Sequence, residues 1–333
     1  MRDVIVIGAG VAGLRCARGL AARGADVLLL DRADKVGGRC ATRSFAGGPA
    51  DYGPLFFHGS DPEFLSAVRS TQGVRVLEGW PRRIEGQGHP CQPLAFAAGE
   101  SRLAFEEGMN AFARGMGEGL EVRLRTQVAA VSACAGSVQV VDSTGARFEA
   151  RHLVLAMALE QSLPFLQGLD PDAGIDAART MLAMFFTVPC LTVVAGYEHE
   201  QPPWDIMYPE NDDVLLLIGN ESAKRPSAGS LTLAVQAAPR WSRAMLERPK
   251  EEWARELLGN AARRLGTWAS APKWTHPHRW RQARLDGASE LAHPLLLSVR
   301  GSRIGICGEL FAPGGGMQAA WRSGGLLAAR LAE

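Results

Sequence analysis

Gly8, Gly10 and Gly13 stand in a Gly-x-Gly-x-x-Gly spacing, directly after the β-branched run of residues 4–7 and at the head of a helical pattern that Gly24 ends. Each glycine has its own task. Gly8 makes a tight turn, Gly10 lets the backbone approach a phosphate, and Gly13 lets the helix lie against the strand. The free N–H groups and partial positive charge at the helix start attract phosphate oxygens. Asp31 closes a second apolar run, residues 26–30, about 20 positions on, where a carboxylate can accept hydrogen bonds from ribose hydroxyls. The chemistry implied is dinucleotide binding.

Three further segments refine this. Lys35-Val36-Gly37-Gly38-Arg39-Cys40-Ala41-Thr42 sets two glycines beside an Arg that can clamp a phosphate with its planar fork; the plain alternative is a glycine loop with a solvated Arg. The segment resembles the Gly-Gly-Arg stretch of the flavin-containing amine oxidase superfamily, and a simple NAD dehydrogenase has no need of it. Asp51-Tyr52-Gly53-Pro54-Leu55-Phe56-Phe57-His58 is similar to the segment that runs beside the flavin ring in that superfamily. His58 reads either as a substrate contact or as a packing or capping residue. Cys307-Gly308-Glu309 precedes Gly314-Gly315-Gly316-Met317-Gln318 and a closing helix. Glu309 can hold ribitol hydroxyls. The glycines let the helix aim its N–H groups at the flavin N1–C2 carbonyl, where negative charge collects on reduction. Otherwise this is an ordinary helix after a glycine loop.

The elements that position these groups follow from periodicity. A β-α-β unit occupies the first 30 or so residues. Residues 37–60 read as glycine-rich loops, residues 75–105 alternate weakly around a turn at 86–88, and residues 107–116 look helical. Strands are expected over 121–124, 129–133, 138–142, 148–155, 187–194, 214–219, 231–237 and 303–307. Helices are expected over 249–265 and 317–331. Most tryptophans fall between 200 and 285, so a second body is expected there.

Composition narrows the classes. The chain has 333 residues, 47% hydrophobic and 21% charged, with a formal net charge of +1. That length suits two domains, and that charge gives no drive toward nucleic acid or an anionic membrane. The six cysteines, Cys16, Cys40, Cys91, Cys134, Cys190 and Cys307, form no CxxC pair and lack a His at zinc spacing, so no metal is expected. Scattered thiols suit a reducing cytoplasm. The N-terminus reads as a strand broken by glycines, without the basic region and cleavage site of a leader. No stretch reaches the roughly 18 apolar residues of a membrane span.

With these motifs placed, the chain resembles the bacterial renalases. The likeness rests on residues 51–57, Glu107-Gly108-Met109-Asn110-Ala111, Asn220-Glu221-Ser222-Ala223-Lys224-Arg225-Pro226, Gln236-Ala237-Ala238-Pro239-Arg240-Trp241-Ser242, His278-Arg279-Trp280-Arg281-Gln282-Ala283, and residues 316–323 with Trp321. The resemblance implies a mixed α/β fold like that of para-hydroxybenzoate hydroxylase. In it a Rossmann-like FAD-binding domain (1–73, 103–158 and 296–333) is interleaved with a smaller mixed-sheet substrate domain (74–102 and 159–295). It implies oxidation of the 2- and 6-dihydro isomers of NAD(P)H by hydride transfer to flavin N5, with O2 reduced to H2O2. The resemblance also implies non-covalent FAD, which fits residues 312–318, where no cysteine stands. Expected cofactor contacts are Gly8, Gly10, Val11, Ala12, Gly13, Asp31, Arg32, Gly38, Arg39, Gly53, Pro54, Val128, Gly308, Glu309, Gly316, Met317 and Gln318. Expected substrate contacts are Leu55, Phe57, His58, Tyr208, Asn220 and Trp280, with Arg225 or Arg281 as a partner for substrate phosphate or as a solvated side chain. No side chain is assigned as the catalytic acid or base.

This sequence departs from the family pattern. Glu309 stands where the family has Asp, Leu55 where it has Gln, and His58 where it has Thr. The last two bear on the substrate. An amine oxidase or desaturase acting on another small amine or heterocycle is the second reading, with Lys273 or Lys224 as a water-binding lysine near N5. A non-enzymatic flavin binder or redox sensor is the third. A monomer or weak homodimer is expected.

Overall fold

The computed structural model describes residues 1–45, 47–86, 95–169, 173–225, 229–287 and 290–333. Gln87 and Gly88 of the expected turn, Cys91 and Pro226 lie outside the described residues. The chain divides into two compact units, residues 1–38, 112–187 and 285–333, and residues 39–111 and 188–284. The division expected from sequence set 39–73 and 103–111 with the first unit, and 159–187 and 285–295 with the second. Packing explains the difference. Residues 41–53 attach to the second unit's sheet through Ala41, Ala50 and Tyr52, whereas Leu159, Leu166, Ile175 and Leu182 join the first unit's core.

The first unit is built on five parallel strands in the order Ser302–Ile306, Arg147–Leu155, Arg2–Ile7, Val27–Leu30, Glu121–Arg123. Val4, Ile5, Val6, Ile7 and Val27 through Leu30 are all buried, as unbroken apolar runs in parallel sheets require. An antiparallel hairpin, Val128–Cys134 with Ser137–Asp142, extends the sheet, and Leu295–Val299 pairs antiparallel with Ser302–Ile306. Helix Val11–Ala21 packs tightly on the closing helix Gly316–Ala332. A Cβ on Gly324 would fall 2.2 Å from Ala12 O, and the Arg15 guanidinium lies 4.3 Å above the Trp321 ring. Helices Leu159–Gln167 and Ala173–Leu182 are not marked in the sequence pattern; Pro164 inside the first interrupts its signal.

The second unit holds a mixed six-stranded sheet in the order Trp274–Leu285, Thr187–Tyr197, Leu231–Ala237, Leu215–Asn220, Ile206–Met207, Ile84–Glu85. Helix Lys250–Leu265 covers it with Trp253, Leu257, Leu258 and Ala261. The stretch read as glycine loops contains a hairpin, Thr42–Phe45 with Gly48–Asp51. Strand Phe57–Gly59 pairs with Ser101–Phe105, which also pairs with Val76–Glu78. Helix Pro62–Arg69 starts on the Asp61 side chain, which accepts from Phe64 N at 2.9 Å. Among the described residues, no helix is long and apolar enough to cross a membrane.

Candidate functional site

In the first unit the glycine motif closes as a strand-to-helix turn. Gly8 has φ +106°, and a Cβ there would fall 2.6 Å from Ala156 O. A Cβ on Gly13 would fall 1.9 Å from Gly8 O, so the fold itself demands both glycines. Gly10 is different. Its φ of −77° suits any residue, and a Cβ there would meet nothing within 4 Å. Among the described residues nothing requires glycine at position 10, and the space beside its backbone is open. The helix that follows has neither a side-chain cap nor an acidic residue in its first turn, which leaves its leading N–H groups for an anion.

Asp31 fixes this turn. Its Oδ2 accepts from Ala9 N at 2.7 Å and its Oδ1 from Ala33 N at 2.8 Å. Gly37 donates its N–H to Ala9 O at 2.8 Å and bridges Gly10, which brings the second glycine pair onto the first. Arg32 and Gly38 are exposed nearby in sequence, and Val128 begins the hairpin half-buried. Farther along, Gly308 donates its N–H to Ser323 Oγ at 3.0 Å, and Glu309 opens a short 3-10 turn. The closing helix also starts without a side-chain cap or an acid in its first turn, and Cβ atoms on Gly315 and Gly316 would meet nothing. Met317 is half-buried and Gln318 buried in its first turn.

The second unit is organised around Asp51. Its Oδ2 takes a hydrogen bond from Lys224 Nζ at 2.7 Å; its Oδ1 accepts from Met109 N at 2.9 Å and from the Thr42 hydroxyl. Lys224 Nζ also pairs with Glu221 Oε1 at 2.7 Å, and Glu221 Oε2 accepts from Asp51 N at 2.9 Å. Asp51, Glu221 and Lys224 are all 0% exposed. Burial raises the Glu221 carboxyl above its ordinary range, while Lys224 pulls it back. The ammonium also sits 4.5 Å over the Trp80 ring.

Around this network, Gln236 Nε2 donates to Gly53 O at 2.7 Å, and Trp280 Nε1 donates to Tyr52 O at 2.7 Å. Tyr52 stacks on Trp280 at 5.6 Å and meets His278 at 4.8 Å and His276 at 5.6 Å. Burial, aided by His276 and Lys250, lowers His278 to about 4, so its ring is neutral near pH 7.

Residues 6–70 match the NAD(P)-binding Rossmann-like domain, and residues 81–332 match the flavin containing amine oxidoreductase family. The chain belongs to the flavin-containing amine oxidoreductase family. Over 120 residues it is 33% identical to putrescine oxidase of Kocuria rosea, a match covering 34% of this chain and 25% of that protein. Over 76 residues it is 48% identical to hydroxyneurosporene desaturase of Rhodobacter capsulatus, covering 23% of this chain and 15% of that one. The chain therefore spans a quarter or less of these curated relatives. A putrescine oxidase redesigned in its cofactor binding has the same fold, at TM-score 0.75 and 17% identity over 99% of this chain and 98% of that one.

Membership of the amine oxidoreductase family makes FAD the cofactor and oxidoreduction the class of reaction. The open Cβ position at Gly10 and the two uncapped helix starts fit such a group. The structure also places the expected substrate residues. Phe57 packs against Phe64 and Phe105 at 1% exposure, a core position. Tyr208 is 1% exposed and edge-on to Phe96. Asn220 is fully buried, where its Oδ1 caps the turn Glu221–Lys224. In the structure Phe57 and Tyr208 take packing positions and Asn220 a capping one. Leu55 is buried against Gly219. His58 is half-buried, with Nδ1 3.2 Å from Glu100 Oε2, and Trp280 is half-buried on Tyr52. Pro54 is half-buried, and Arg39 spends one N–H on Ala283 O at 3.0 Å.

The sequence reading did not find the Asp51–Lys224–Glu221 network or the Gln236 tie. Lys224 lies 173 positions from Asp51, and no spacing rule links them. The only sequence signal was the presence of Lys224 and Gln236 in renalase-like segments.

Proposed function

We propose that this chain is a renalase-like oxidase. It takes a hydride from the 2- or 6-dihydro isomers of NAD(P)H, and O2 takes up that hydride and a proton to give NAD(P)+ and H2O2. It works in the cytoplasm as a monomer or weak homodimer, with FAD held non-covalently. FAD held on the glycine turn of residues 8–13 would supply the hydride-accepting and electron-carrying chemistry.

The observation that carries this reading is a convergence on Asp51, Tyr52 and Gly53. Four renalase-like segments each donate one hydrogen bond to these three residues, through Met109 N, Lys224 Nζ, Gln236 Nε2 and Trp280 Nε1, and Glu221 accepts a further one from Asp51 N. These renalase-like segments thus share one structural target. In the reading offered here, that target holds the backbone beside the flavin in one geometry, and positioning supplies most of the acceleration.

The pairing of the carboxylates around Asp51 supports hydride transfer without a general base. A dihydropyridine is already electron-rich. Asp51 and Glu221 are both engaged by Lys224, and His278 is a neutral ring packed between Tyr52 and Trp280. The two lysines of the amine-oxidase reading point away from it. Lys224 is fully buried between two carboxylates, and Lys273 is exposed and paired with Glu198 at 2.8 Å.

The test is anaerobic mixing of the flavin-loaded protein with a dihydronicotinamide mixture containing the 2- and 6-isomers. Bleaching of the visible flavin band, and peroxide on readmission of air, is the expected result. A flavin that bleaches with putrescine or another small amine, and not with the isomers, would replace this reading with that of an amine oxidase.

A further inference from the structure

Arg225 follows the buried network and belongs to none of its tight pairs. It is 7% exposed. Its Nη1 donates to Glu221 O at 2.8 Å and stands 3.7 Å from Glu221 Oε2. Lys224, at 2.7 Å from each, serves both carboxylates, so Arg225 contributes a loosely matched positive charge. Its Nε and Nη2 are buried with no hydrogen-bond partner among the described residues. Burying two guanidinium N–H groups unpaired is costly, and proteins seldom leave such groups without a partner.

The Arg225 side chain runs beside a glycine bend. Gly47 lies next to Gly48, the first residue of strand Gly48–Asp51, which pairs with Phe45 of strand Thr42–Phe45. A Cβ on Gly48 would lie 3.7 Å from Arg225 Cδ. A Cβ on Gly47 would lie 2.8 Å from Ser230 Oγ and 2.9 Å from Thr232 Oγ1. The Thr232 hydroxyl is likewise buried without a partner. Ser222 holds these residues in place: its Oγ donates to Ser230 O at 2.9 Å and accepts from Thr232 N at 2.8 Å. Gly47, Gly48 and Ser230 are only half-buried, so the turn opens to solvent.

We propose that Arg225, the side-chain-free turn Gly47-Gly48, and the hydroxyls of Ser230 and Thr232 form a cradle for a phosphate group of the substrate. The guanidinium edge matches two oxygens in a plane, as Arg does for phosphate and carboxylate alike. The hydroxyls add donors from a second direction. A carboxylate has no third oxygen for them, whereas a phosphate does. The two glycines keep side chains out of the space. The proposal rests on the dinucleotide-substrate reading, since that class of substrate carries the pyrophosphate such a cradle would hold.

Two measurements on the flavin-loaded protein test it. The first compares kcat/KM for dihydronicotinamide isomers as the mononucleotide, which has a phosphate, and as the riboside, which has none. Arg225→Met should cut kcat/KM for the mononucleotide about 10- to 100-fold and leave that for the riboside within about twofold. Arg225→Lys, which keeps the charge without the fork, should fall between. Equal losses on both substrates would show a structural role and overturn the cradle, as would no loss on either. The second measurement is calorimetric binding of inorganic pyrophosphate, which needs no turnover. Binding to the wild type that Arg225→Met abolishes upholds the cradle even if the isomers prove not to be substrates. Pyrophosphate that binds neither protein, or both equally, overturns it.

Discussion

Lys224 Nζ stands 2.7 Å from Asp51 Oδ2 and 2.7 Å from Glu221 Oε1, with all three side chains fully buried. One ammonium therefore holds two carboxylates out of water. Lys224→Met removes the cation and strands both. Breaking a buried pair in this way costs about 3–5 kcal/mol, which urea denaturation of the flavin-loaded protein would measure. The loss has a pH sign. Burial already raises Glu221, and without Lys224 protonation of a stranded carboxyl relieves the strain, so the variant should be least impaired at acid pH and most impaired above neutrality. A variant as stable as the wild type would show that the network contributes nothing net.

The contrast between this network and the glycine motif shows what the sequence makes legible. Gly8, Gly10 and Gly13 act within six consecutive positions, and each has a local task, so their spacing alone carries the meaning. The inner parallel strands Arg2–Ile7 and Val27–Leu30 are equally plain because burial on both faces makes them apolar runs. The hairpin Thr42–Phe45 with Gly48–Asp51 is hidden because glycine, Pro49 and charged or polar residues fill it. Strand Trp274–Leu285 is hidden for a similar reason: His276, His278 and Trp280 face Tyr52, where a simple apolar alternation would be expected. Phe57, Tyr208 and Asn220 were read as substrate contacts from residue type and family position. Depth of burial is not encoded in either, and the structure adds that all three are buried, Asn220 as a cap.

His278 gives a prediction at acid pH. Its ring lies 4.2 Å from that of Trp280 and 4.8 Å from that of Tyr52, and burial, with His276 and Lys250, lowers it from 6.5 to about 4. The unfolded imidazole takes its proton below 6.5; the folded one holds out to about 4. Its contribution is therefore fully present above pH 6.5 and drains away as pH falls toward 4, by about 2 kcal/mol after allowing for the part of the ring that meets water. His278→Phe should flatten stability over that window when denaturation midpoints are compared at several pH values. An unchanged slope would assign the acid sensitivity to another group.

Trp280 separates a hydrogen bond from a stack. Trp280→Phe keeps a ring against Tyr52 and removes the donor to Tyr52 O, now at 2.7 Å. The expected loss of stability is about 1 kcal/mol. If Trp280 positions the Tyr52–Gly53 backbone for the reaction, kcat for the dihydronicotinamide isomers should drop with little change in KM. A rise in KM alone would make Trp280 a binding surface.

The glycines at positions 10 and 13 should fail in different ways. A Cβ at Gly13 would meet Gly8 O at 1.9 Å, a backbone atom that cannot step aside. Gly13→Ala should therefore unfold or destabilise the flavin-free protein, by about 1–3 kcal/mol or more. A Cβ at Gly10 would meet no protein atom, and the backbone there is one that alanine adopts freely. Gly10→Ala should leave the flavin-free protein as stable as the wild type and weaken FAD instead, because the methyl group occupies the approach to the pyrophosphate. Thermal denaturation of the flavin-free proteins and FAD titration of each separate the two effects. If Gly10→Ala binds FAD with wild-type affinity, the pyrophosphate does not pass over position 10, and the placement of the cofactor on this turn is wrong.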